Sequence, residues 1–424
     1  MKTVIIAGGK GTRLGLTDIP KPMVSIGGRP LLEHLVLLAK RYGSEEIYIL
    51  SGHLSEVIVN YFGNGAKWGI KVHHVIEPYP LGTAGSVKQL EHELKERFMV
   101  FYGDVVMDFD IRQFIDFDEK HEGIGTVLVH PNDHPYDSDL LEVDSSSKVM
   151  HVHSKPHDES QYYQNIVNAA IYIFSPKIFD YIEKDIPQDF GKTILNKVVM
   201  AGENLYAYRT SEYLKDMGTK DRFKKVENDF VTGKVARLNR KNKRACIFLD
   251  RDGVINPDMG NLPTVDGFKL LPGVAQAIQS INASDYINIV VTNQPMIAKG
   301  FIKENEVIEI HKKMETLLGQ KHAYVDGIYY CPHHPDKGFP GEILELKIDC
   351  NCRKPKPGLL LKAANEYGID FSRSWMVGDN EKDLIAGKAV GCRTVFINDE
   401  ESEYADFRCK DLLDAIGLIL EKTK

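Results

Sequence analysis

The sequence predicts an α/β protein with two domains, each a doubly wound sheet covered by helices. Short β-rich apolar runs alternate with helical stretches through the first half of the chain, and such alternation is typical of a parallel sheet with helices on its faces. The alternation stops near Gly233 and begins again after a polar, basic segment. Since domains commonly hold about 100–200 residues, a chain of 424 residues has room for two.

The first half contains four predicted strands and two predicted helices. The strands are Val4–Ala7, Ile47–Leu50, Val72–Ile76 and Phe98–Tyr102, and the helices are Pro30–Tyr42 and Ser86–Leu94. Right-handed crossovers bring the carboxyl ends of parallel strands to one edge of a sheet, so we expect the functional side chains there.

A basic segment, GKVARLNRKNKR, separates the two halves. It is predicted to be a linker over residues 233–244, between a first domain of residues 1–232 and a second of residues 245–424. An anion-binding patch is the alternative, but charge runs are more often solvated linkers or helix ends.

The second half repeats the alternation. Its predicted strands are Cys246–Leu249, Ile289–Thr292, Asp326–Tyr330, Trp375–Val377 and Thr394–Ile397, and its predicted helices include Glu304–Leu318 and Gly358–Tyr367. We expect a second parallel sheet with a site at its carboxyl edge.

Composition excludes several classes of protein. The hydrophobic fraction of 43% is ordinary for a soluble protein, and the net charge of −7 gives no basic field to hold nucleic acid. No apolar run approaches the roughly 20 residues that span a bilayer, so no membrane association is expected. The run from Thr3 to Ala7 ends in glycines and is a strand rather than a signal peptide, which favours the cytoplasm.

A glycine-rich turn follows the first strand. Gly8, Gly9 and Gly11 allow close approach of the backbone to a phosphate. Thr12 lies in the same turn, Arg13 offers a planar fork, and Lys21 adds a point charge. A simple tight turn is the alternative, since the spacing is not that of the G-x-x-x-x-G-K-[ST] loop.

Three further segments point to nucleotide chemistry. Gly82 and Thr83 lie in a small-residue turn that could pack against a base or ribose. Asp104 follows a strand and Asp216 precedes a glycine turn, and two such carboxylates can hold Mg²⁺ beside a phosphate. Each aspartate alone is more often a cap or turn residue.

The motifs GGKGTRL, IPKPMV, EPYPLGTAG, YGD, NAAIYIF and LKDMGT resemble the sugar-1-phosphate nucleotidyltransferases over about residues 1–230. The resemblance implies a Rossmann-like, GT-A-like domain in which a sugar 1-phosphate attacks the α-phosphate of a nucleoside triphosphate and expels pyrophosphate. It implies that the triphosphate is bound by Gly8, Gly9, Gly11, Thr12, Arg13 and Lys21, of which Arg13 and Lys21 would be catalytic. Asp104 and Asp216 would bind Mg²⁺. Gly82 and Thr83 would lie near the nucleoside, and Lys155 and Asn168 would face the sugar phosphate.

One position departs from that family. Ser154 precedes Lys155 where the family usually has a glutamate that reaches a sugar hydroxyl. This leaves the identity of the sugar open. The resemblance is strongest to the heptose-1-phosphate and mannose-1-phosphate guanylyltransferases, which makes GTP the favoured donor.

A pair of aspartates opens the second domain. Asp250 and Asp252 follow a strand two residues apart and point the same way. One can attack phosphorus while the other acts as general acid and base, and Mg²⁺ would offset their charge. A calcium-type acidic loop is the alternative, but its later ligands are missing.

Three later segments complete this pattern. Thr292 and Asn293 are predicted to bind the phosphoryl group. Arg353 and Lys354 are predicted to bind phosphate and neutralise its charge. Asp379 is predicted to bind Mg²⁺ together with Asp250 and Asp252. The order of the segments resembles the haloacid dehalogenase (HAD) superfamily over about residues 244–424. Whether Asp383 joins the metal site or caps a helix is left open.

Three of the six cysteines cluster near a histidine pair. Cys331, His333, Cys350 and Cys352 offer three sulfurs and one imidazole, a set that suits a closed, structural Zn²⁺ site. Buried free cysteines are the alternative, and a disulfide framework is not indicated.

The pattern CPHH…C-x-C-RKP resembles the heptose-1,7-bisphosphate phosphatases and the related histidinol-phosphate phosphatases. By this resemblance Asp250 is the nucleophile, Asp252 the general acid and base, and Asp379 a Mg²⁺ ligand. Pro295, Met296 and Asn380 depart from the family pattern without removing a core group.

Together the halves predict a bifunctional enzyme of activated-heptose synthesis. It would remove the 7-phosphate of D-glycero-α-D-manno-heptose 1,7-bisphosphate and convert the 1-phosphate to GDP-heptose. One alternative is a hexose (mannose)-1-phosphate guanylyltransferase fused to a phosphatase of other activity. The other is a phosphatase half that is a catalytically inactive binding or regulatory module.

Overall fold

The computed structural model describes residues 1–9, 15, 17–258 and 264–422. Within them the chain divides into two compact units, one of Met1–His130, Asp137–His157 and Ile166–Asn239, the other of Pro131–Tyr136, Asp158–Asn165 and Arg240–Lys424. Two short segments of the first half therefore group with the second unit, which the sequence did not predict. The predicted linker contains a helical turn, Lys234–Arg237, and we keep the domain bounds at residues 232 and 245 as a proposal.

The first unit is built on a sheet of nine strands, with two small two-stranded sheets beside it. Its strands are β1 (Lys2–Ile6), β2 (Ser25–Ile26), β3 (Arg29–Pro30), β4 (Glu46–Ser51), β5 (Lys71–Ile76), β6 (Phe98–Tyr102), β7 (Val105–Asp108), β8 (Gly125–His130), β9 (Leu140–Val143), β10 (Val149–His153), β11 (Val167–Phe174), β12 (Leu205–Arg209) and β13 (Tyr213–Asp216). Its helices are α1 (Leu31–Arg41), α2 (Ser55–Phe62), α3 (Gly82–Lys88), α4 (Ile111–Lys120), α5 (Leu195–Met200), α6 (Lys220–Val231) and α7 (Lys234–Arg237).

The large sheet is mixed rather than wholly parallel. The four strands predicted from the sequence form its parallel part, in the order β6-β1-β4-β5. Strand β11 then pairs antiparallel with β6, and β8 and β9 pair antiparallel with β11. The parallel sheet that the sequence predicted is the part β6-β1-β4-β5, and the antiparallel pairings of β11 add further strands to it.

One predicted helix lies in a different place. Helix α3 spans Gly82–Lys88, whereas the sequence predicted Ser86–Leu94. Residues beyond Lys88 form successive turns, with Leu90 N donating to Val87 O and Glu91 N to Lys88 O. The helix starts earlier because the amides of Ala84 and Gly85 donate to the Gln188 carbonyl, a contact between segments far apart in sequence.

The second unit has a six-stranded parallel sheet in the order β16-β15-β14-β17-β18-β19. Its strands are β14 (Cys246–Leu249), β15 (Ile287–Asn293), β16 (Gly327–Cys331), β17 (Trp375–Gly378), β18 (Arg393–Ile397) and β19 (Phe407–Cys409), and its helices are α8 (Val274–Ala283), α9 (Glu304–Gly319), α10 (Gly358–Tyr367), α11 (Glu381–Ala389) and α12 (Leu412–Glu421). Every strand pair is parallel, as the sequence predicted.

Both sheets bury apolar side chains on two faces. Along β1, Val4 and Ile5 are fully buried in two different cores. Along β14, Cys246 and Phe248 pack in one core, and Ile247 and Leu249 in another. Since side chains alternate across a strand, each sheet is covered on both sides, as in a doubly wound fold. Among the described residues, no helix is long and apolar enough to cross a membrane.

Candidate active sites

The carboxyl edge of the second sheet gathers the predicted phosphatase residues. Asp250 directly follows β14, Asn293 ends β15, and Asp379 directly follows β17. Strand β14 pairs with both neighbours in parallel register. The three side chains therefore reach the same edge of the sheet, where ligands bind in open α/β sheets.

Three carboxylates and one ammonium group form the centre of this site. Asp250, Asp379 and Asp383 each place an oxygen within 4.8 Å of the others. The Lys354 Nζ atom lies 2.9 Å from Asp250 Oδ1 and 2.6 Å from Asp383 Oδ1, and its side chain is only 1% exposed. One cation therefore faces three carboxylates, so the site carries an excess of negative charge.

That excess changes the proton affinity of the carboxylates. Burial, reinforced by the charge of Asp383 and opposed by Lys354, raises the pKa of Asp250 to about 7. Burial, followed by the charge of Asp250, raises the pKa of Asp379 to about 7. Like charges in a buried site favour binding of either protons or a cation.

Gly253 makes the close approach of Asp379 possible. It has a φ of +82°, and a Cβ atom there would lie 1.8 Å from Asp379 Oδ2. A side chain at this position would be both strained and in collision with the carboxylate. The glycine of the DRDG motif is therefore required by the site.

The Asp252 carboxylate is held apart from that group. It accepts from Arg251 Nη2 at 2.9 Å, from Gln294 Nε2 at 2.7 Å and from Asn256 Nδ2 at 2.9 Å. Within the described residues, the group of three carboxylates includes Asp383 and does not include Asp252. The roles predicted for Asp252, as general acid and base and as Mg²⁺ ligand, both stay predictions.

The Asn293 side chain is hydrogen-bonded to the backbone of Lys354. The Asn293 side chain donates to Lys354 O and accepts from Lys354 N, both at 3.0 Å. The Thr292 hydroxyl accepts from Gln294 Nε2 at 3.1 Å, and Arg353 Nη1 donates to His333 O at 3.4 Å. The Asn293 amide therefore positions the Lys354 backbone, and the phosphate contacts predicted for Thr292, Asn293 and Arg353 remain predictions.

Asp383 is the candidate site residue whose role the sequence left open. It stands at the third position of helix α11 in a capping box, where its Oδ2 accepts from Asn380 N at 3.2 Å. Its Oδ1 faces Lys354, and the residue is 1% exposed. It therefore caps the helix and also joins the carboxylate group, and its spacing in GDNEKD is the only signal the sequence offers.

The predicted cysteine and histidine residues also lie together. Cys352 Sγ is 3.2 Å from Cys331 Sγ, 3.1 Å from Cys350 Sγ and 3.2 Å from His333 Nδ1. All the cysteines are free. Tetrahedral ligands about 2.3 Å from one metal ion lie about 3.8 Å apart; the separations above are somewhat shorter, and that between Cys331 Sγ and His333 Nδ1 is 3.7 Å. These four side chains can therefore hold one metal ion.

The first unit brings Lys21 and Asp104 together. The Lys21 Nζ atom is 2.6 Å from Asp104 Oδ2, and the Asp104 side chain is 39% exposed. Asp104 follows β6, and Lys21 begins a short 3₁₀ turn. An accessible carboxylate beside a lysine is therefore placed at the carboxyl edge of the parallel strands.

Asp216 reaches the same edge through a strand pairing that the sequence did not predict. Strand β13 pairs antiparallel with β7, and Asp216 lies opposite Val105. The Met217 amide donates to Asp104 O at 3.1 Å. The Asp216 carboxylate is paired with Arg222, whose Nη1 lies 2.9 Å from Oδ2. Asp216, the last residue of β13, thus lies next to the turn that contains Asp104, just before β7.

The phosphate-binding turn is described only in part. Gly8 lies beside Glu77, whose Oε2 would be 3.3 Å from a Cβ atom at Gly8, and no atom of the described residues lies within 4 Å of a Cβ atom at Gly9. Gly11, Thr12 and Arg13 lie outside the described residues. Their predicted contacts with the triphosphate remain predictions.

Gly82 and Thr83 tie helix α3 to a distant segment. A Cβ atom at Gly82 would lie 2.5 Å from Gln188 O. The Thr83 hydroxyl accepts from Tyr102 Oη at 2.8 Å and donates to Asp189 Oδ1 at 3.2 Å. These contacts position the small-residue turn, and its predicted approach to the nucleoside remains a prediction.

A cavity of about 250 Å³ contains both residues predicted to bind the sugar phosphate. It is lined by Tyr102, Ser138, Asp139, Lys155, Asn168, Ala170, Tyr172, Asp189, Gly191 and Lys192. Lys155 Nζ donates to Asp137 O at 2.8 Å, and Asp137 Oδ2 accepts from Arg222 Nη2 at 3.0 Å. Arg222 in turn pairs with Asp216. The cavity is thus linked through charged groups to a predicted Mg²⁺ ligand.

Two family models match the chain. Residues 2–232, more than half of the chain, match the model described as nucleotidyl transferase. Residues 351–413 match the model described as HAD-hydrolase-like.

Curated relatives carry the name D-glycero-beta-D-manno-heptose-1,7-bisphosphate 7-phosphatase. The protein from Pasteurella multocida is 43% identical over 148 residues, which are 35% of this chain and 77% of that protein. The protein from Haemophilus influenzae is 44% identical over 142 residues, 33% of this chain and 74% of that protein. The protein from Escherichia coli K12 is 37% identical over 185 residues, 42% and 95% respectively.

Two solved structures are also similar to parts of the chain. HddC from Yersinia pseudotuberculosis is 28% identical, covers 54% of this chain and 99% of its own, and gives a TM-score of 0.47. The D,D-heptose 1,7-bisphosphate phosphatase from B. bronchiseptica, complexed with magnesium and phosphate, is 32% identical, covers 42% of this chain and 99% of its own, and gives a TM-score of 0.37.

Proposed function

Because the chain belongs both to the nucleotidyl transferase family and to the family of heptose-1,7-bisphosphate 7-phosphatases, we propose that it is a bifunctional enzyme of heptose activation. One site removes the 7-phosphate of D-glycero-D-manno-heptose 1,7-bisphosphate. The other transfers a nucleotidyl group to the sugar 1-phosphate and releases pyrophosphate. The observation that carries the proposal is the buried Asp250 carboxylate beside Lys354, at the edge of a parallel sheet.

The phosphatase reaction follows from the positions of two aspartates. An Asp250 carboxylate oxygen attacks phosphorus, the bond from phosphorus to the sugar oxygen breaks, and Asp252 protonates that oxygen. Asp252 then takes a proton from water, which attacks the phosphoaspartate, releases phosphate and restores the Asp250 carboxylate. Arg251, Gln294 and Asn256 orient Asp252 through the hydrogen bonds described above.

Magnesium is the proposed cofactor of both sites. In the second unit Asp250, Asp379 and Asp383 would supply oxygen ligands, the type that Mg²⁺ prefers. The raised pKa values of Asp250 and Asp379 fit a site that needs a cation. In the first unit Asp104 and Asp216 would hold it. There it would offset negative charge while the sugar phosphate oxygen attacks the α-phosphorus and pyrophosphate leaves. Lys21 contributes a further positive charge next to Asp104.

The nucleotide, the structural metal and the compartment belong to the same proposal. GTP is the favoured donor because the motifs of the first domain resemble heptose- and mannose-1-phosphate guanylyltransferases. Zinc is the favoured metal of the cysteine cluster because three sulfurs and one imidazole form its usual structural donor set. Unbonded cysteines in that cluster are typical of a reducing compartment such as the cytoplasm.

A coupled assay tests the proposed function. The chain is incubated with each anomer of heptose 1,7-bisphosphate, Mg²⁺ and each nucleoside triphosphate in turn, while phosphate, pyrophosphate and product mass are followed. We expect phosphate release first and a GDP-heptose mass only with GTP. Phosphate without a nucleotide sugar would overturn the heptose or guanine assignment, and a panel of hexose 1-phosphates would follow. Absence of both products would overturn the heptose assignment altogether.

Removing one ligand of the cysteine cluster is expected to lower both metal content and stability. Cys350→Ser should lose about one zinc ion per chain and lower the Tm of the second unit by at least about 5 °C, because a structural metal contributes directly to folding. Mass spectrometry of metals and differential scanning calorimetry would measure both. The control is Cys392→Ala, which alters a buried cysteine outside the cluster. Unchanged metal content in Cys350→Ser would contradict the site.

The stabilisation that Mg²⁺ confers on the second unit is expected to grow with pH. A carboxylate whose pKa is about 7 in the folded protein binds more protons in the folded state than in the unfolded state. Without metal, the folded state therefore loses stability as the pH rises from about 4 to 7. Mg²⁺ competes with those protons for the carboxylates, and its binding recovers the stability that is lost at higher pH. The Tm increase on adding Mg²⁺ should therefore be larger at pH 8 than at pH 5.5, and Asp379→Asn should flatten the difference. An increase that is greater at pH 5.5 would contradict this account.

A further inference from the structure

The cavity of the first unit contains a carboxylate to which neither the sequence nor the family match gives a role. Asp139 lines this cavity together with Lys155 and Asn168. It directly precedes β9, and its carbonyl accepts from the Asn168 amide at 3.2 Å. We propose that Asp139 is a specificity-determining residue that accepts a hydrogen bond from a hydroxyl group of the sugar 1-phosphate. This inference rests on the proposed nucleotidyl transfer.

The Asp139 carboxylate lies over a glycine that leaves room for it. A Cβ atom at Gly191 would be 2.7 Å from Asp139 Oδ2 and 3.3 Å from Asn168 Nδ2. Any side chain at position 191 would therefore displace Asp139 or Asn168. The absence of that side chain keeps two polar groups exposed to the cavity.

A local irregularity in β11 directs Asn168 to the same place. The register with β8 shifts between Asn168 and Tyr172, and Ala170 has a φ of +60°, a conformation that costs a non-glycine residue free energy. Asn168 Oδ1 accepts from Ala170 N at 3.0 Å, and Nδ2 donates to Tyr172 Oη at 3.0 Å. Bulges of this kind re-aim side chains next to active sites.

Among the described residues, Asp139 has neither carboxylate oxygen engaged, whereas Asp189, the other carboxylate of the cavity, has one. Asp189 Oδ1 already accepts from the backbone and the hydroxyl of Thr83. Within the part of the chain that the structure describes, no hydrogen bond or ion pair reaches the Asp139 carboxylate. When a ligand fills the cavity, the carboxylate loses its water. Unless the ligand donates hydrogen bonds in place of that water, binding is weakened.

The charges of the lining define the ligand. Lys155 and Lys192 supply ammonium groups, and Asp139 and Asp189 supply carboxylates. An anionic group on the ligand is attracted by the lysines and repelled by the carboxylates, whereas hydroxyl groups donate readily to carboxylates. A molecule with a phosphate at one end and hydroxyls at the other fits both. Ser154, the residue before Lys155, is not among the lining residues, whereas Asp139 places a carboxylate there.

The test separates sugar binding from nucleotide binding. We expect Asp139→Asn to raise the KM for the sugar 1-phosphate by about 10- to 100-fold, the usual effect of losing a charge-assisted hydrogen bond, with the KM for GTP and phosphate release within about two-fold of wild type. Asp180→Asn, at an exposed carboxylate of the same unit, is the matched control. Retained GTP binding establishes that the first unit of the variant is folded, and retained phosphate release that the second unit is.

A panel of monodeoxy sugar 1-phosphates identifies the hydrogen bond itself. For the analogue that lacks the hydroxyl recognised by Asp139, wild type and Asp139→Asn should have equal kcat/KM, since the interaction can be lost only once. Additive losses for every analogue, an unchanged sugar KM in the variant, or an equal rise in the KM for GTP would overturn the inference. If wild type forms no nucleotide sugar from any sugar 1-phosphate, the proposed function fails first, and that outcome is distinguishable from these.

Discussion

Asp250→Asn is expected to lower phosphate release from heptose 1,7-bisphosphate by at least about 10³-fold, because it removes the attacking oxygen of the phosphatase site. The change keeps the size of the side chain and lowers the charge of the carboxylate group by one. Lys354 still pairs with Asp383, so the site should stay folded. Pyrophosphate release from GTP and directly supplied heptose 1-phosphate should remain within about two-fold of wild type, since Asp104 and Asp216 belong to the other unit.

Two comparisons make this expectation specific. Asp266→Asn changes an exposed carboxylate of the second unit and should leave phosphate release unaltered. Trapping of a phosphorylated chain, detected by intact mass, should occur with wild type and not with Asp250→Asn. If wild type releases phosphate no faster than Asp250→Asn, the second unit is a binding or regulatory module, and its assignment as a phosphatase fails.

Asp104→Asn and Asp216→Asn are each expected to lower pyrophosphate release by at least about 10³-fold. Each removes one oxygen ligand from a site that must offset the charge of a triphosphate and a sugar phosphate. Asp104→Asn also leaves Lys21 without its 2.6 Å partner. Phosphate release should stay at the wild-type rate, because the phosphatase groups lie in the second unit.

The dependence on Mg²⁺ distinguishes a metal-binding role from a structural one. If the two aspartates hold the metal, the surviving activity of each variant should need a higher Mg²⁺ concentration than wild type, and Asp180→Asn should not. Arg222 keeps Asp137 as a partner in Asp216→Asn, so that variant should retain its fold. Full activity of either aspartate variant at ordinary Mg²⁺ concentrations would contradict the proposed site, and parallel loss of both activities would argue against independent sites.

Elements that depend on local sequence were predicted accurately, and elements that depend on contacts between distant segments were not. Strands Phe98–Tyr102 and Cys246–Leu249 and helix Gly358–Tyr367 were predicted to the residue, because each is a run whose apolar pattern and bounding residues are local. The antiparallel strand β11 was missed as a strand, although its motif NAAIYIF was recognised. The start of helix α3 was also missed, since it depends on the distant Gln188 carbonyl.

The same division applies to the sites. The sequence by itself determined the two α/β units, the aspartates at strand ends and the cysteine–histidine set, because each depends on residue type and short spacing. Only the tertiary structure decided that Asp383 joins Asp250 around Lys354, that Asn293 holds the Lys354 backbone, and that Asp139 faces Gly191 in the cavity. These contacts join segments far apart in the chain. Their geometry is set by strand register, a bulge and the space left by glycines, and none of these can be read from local sequence patterns.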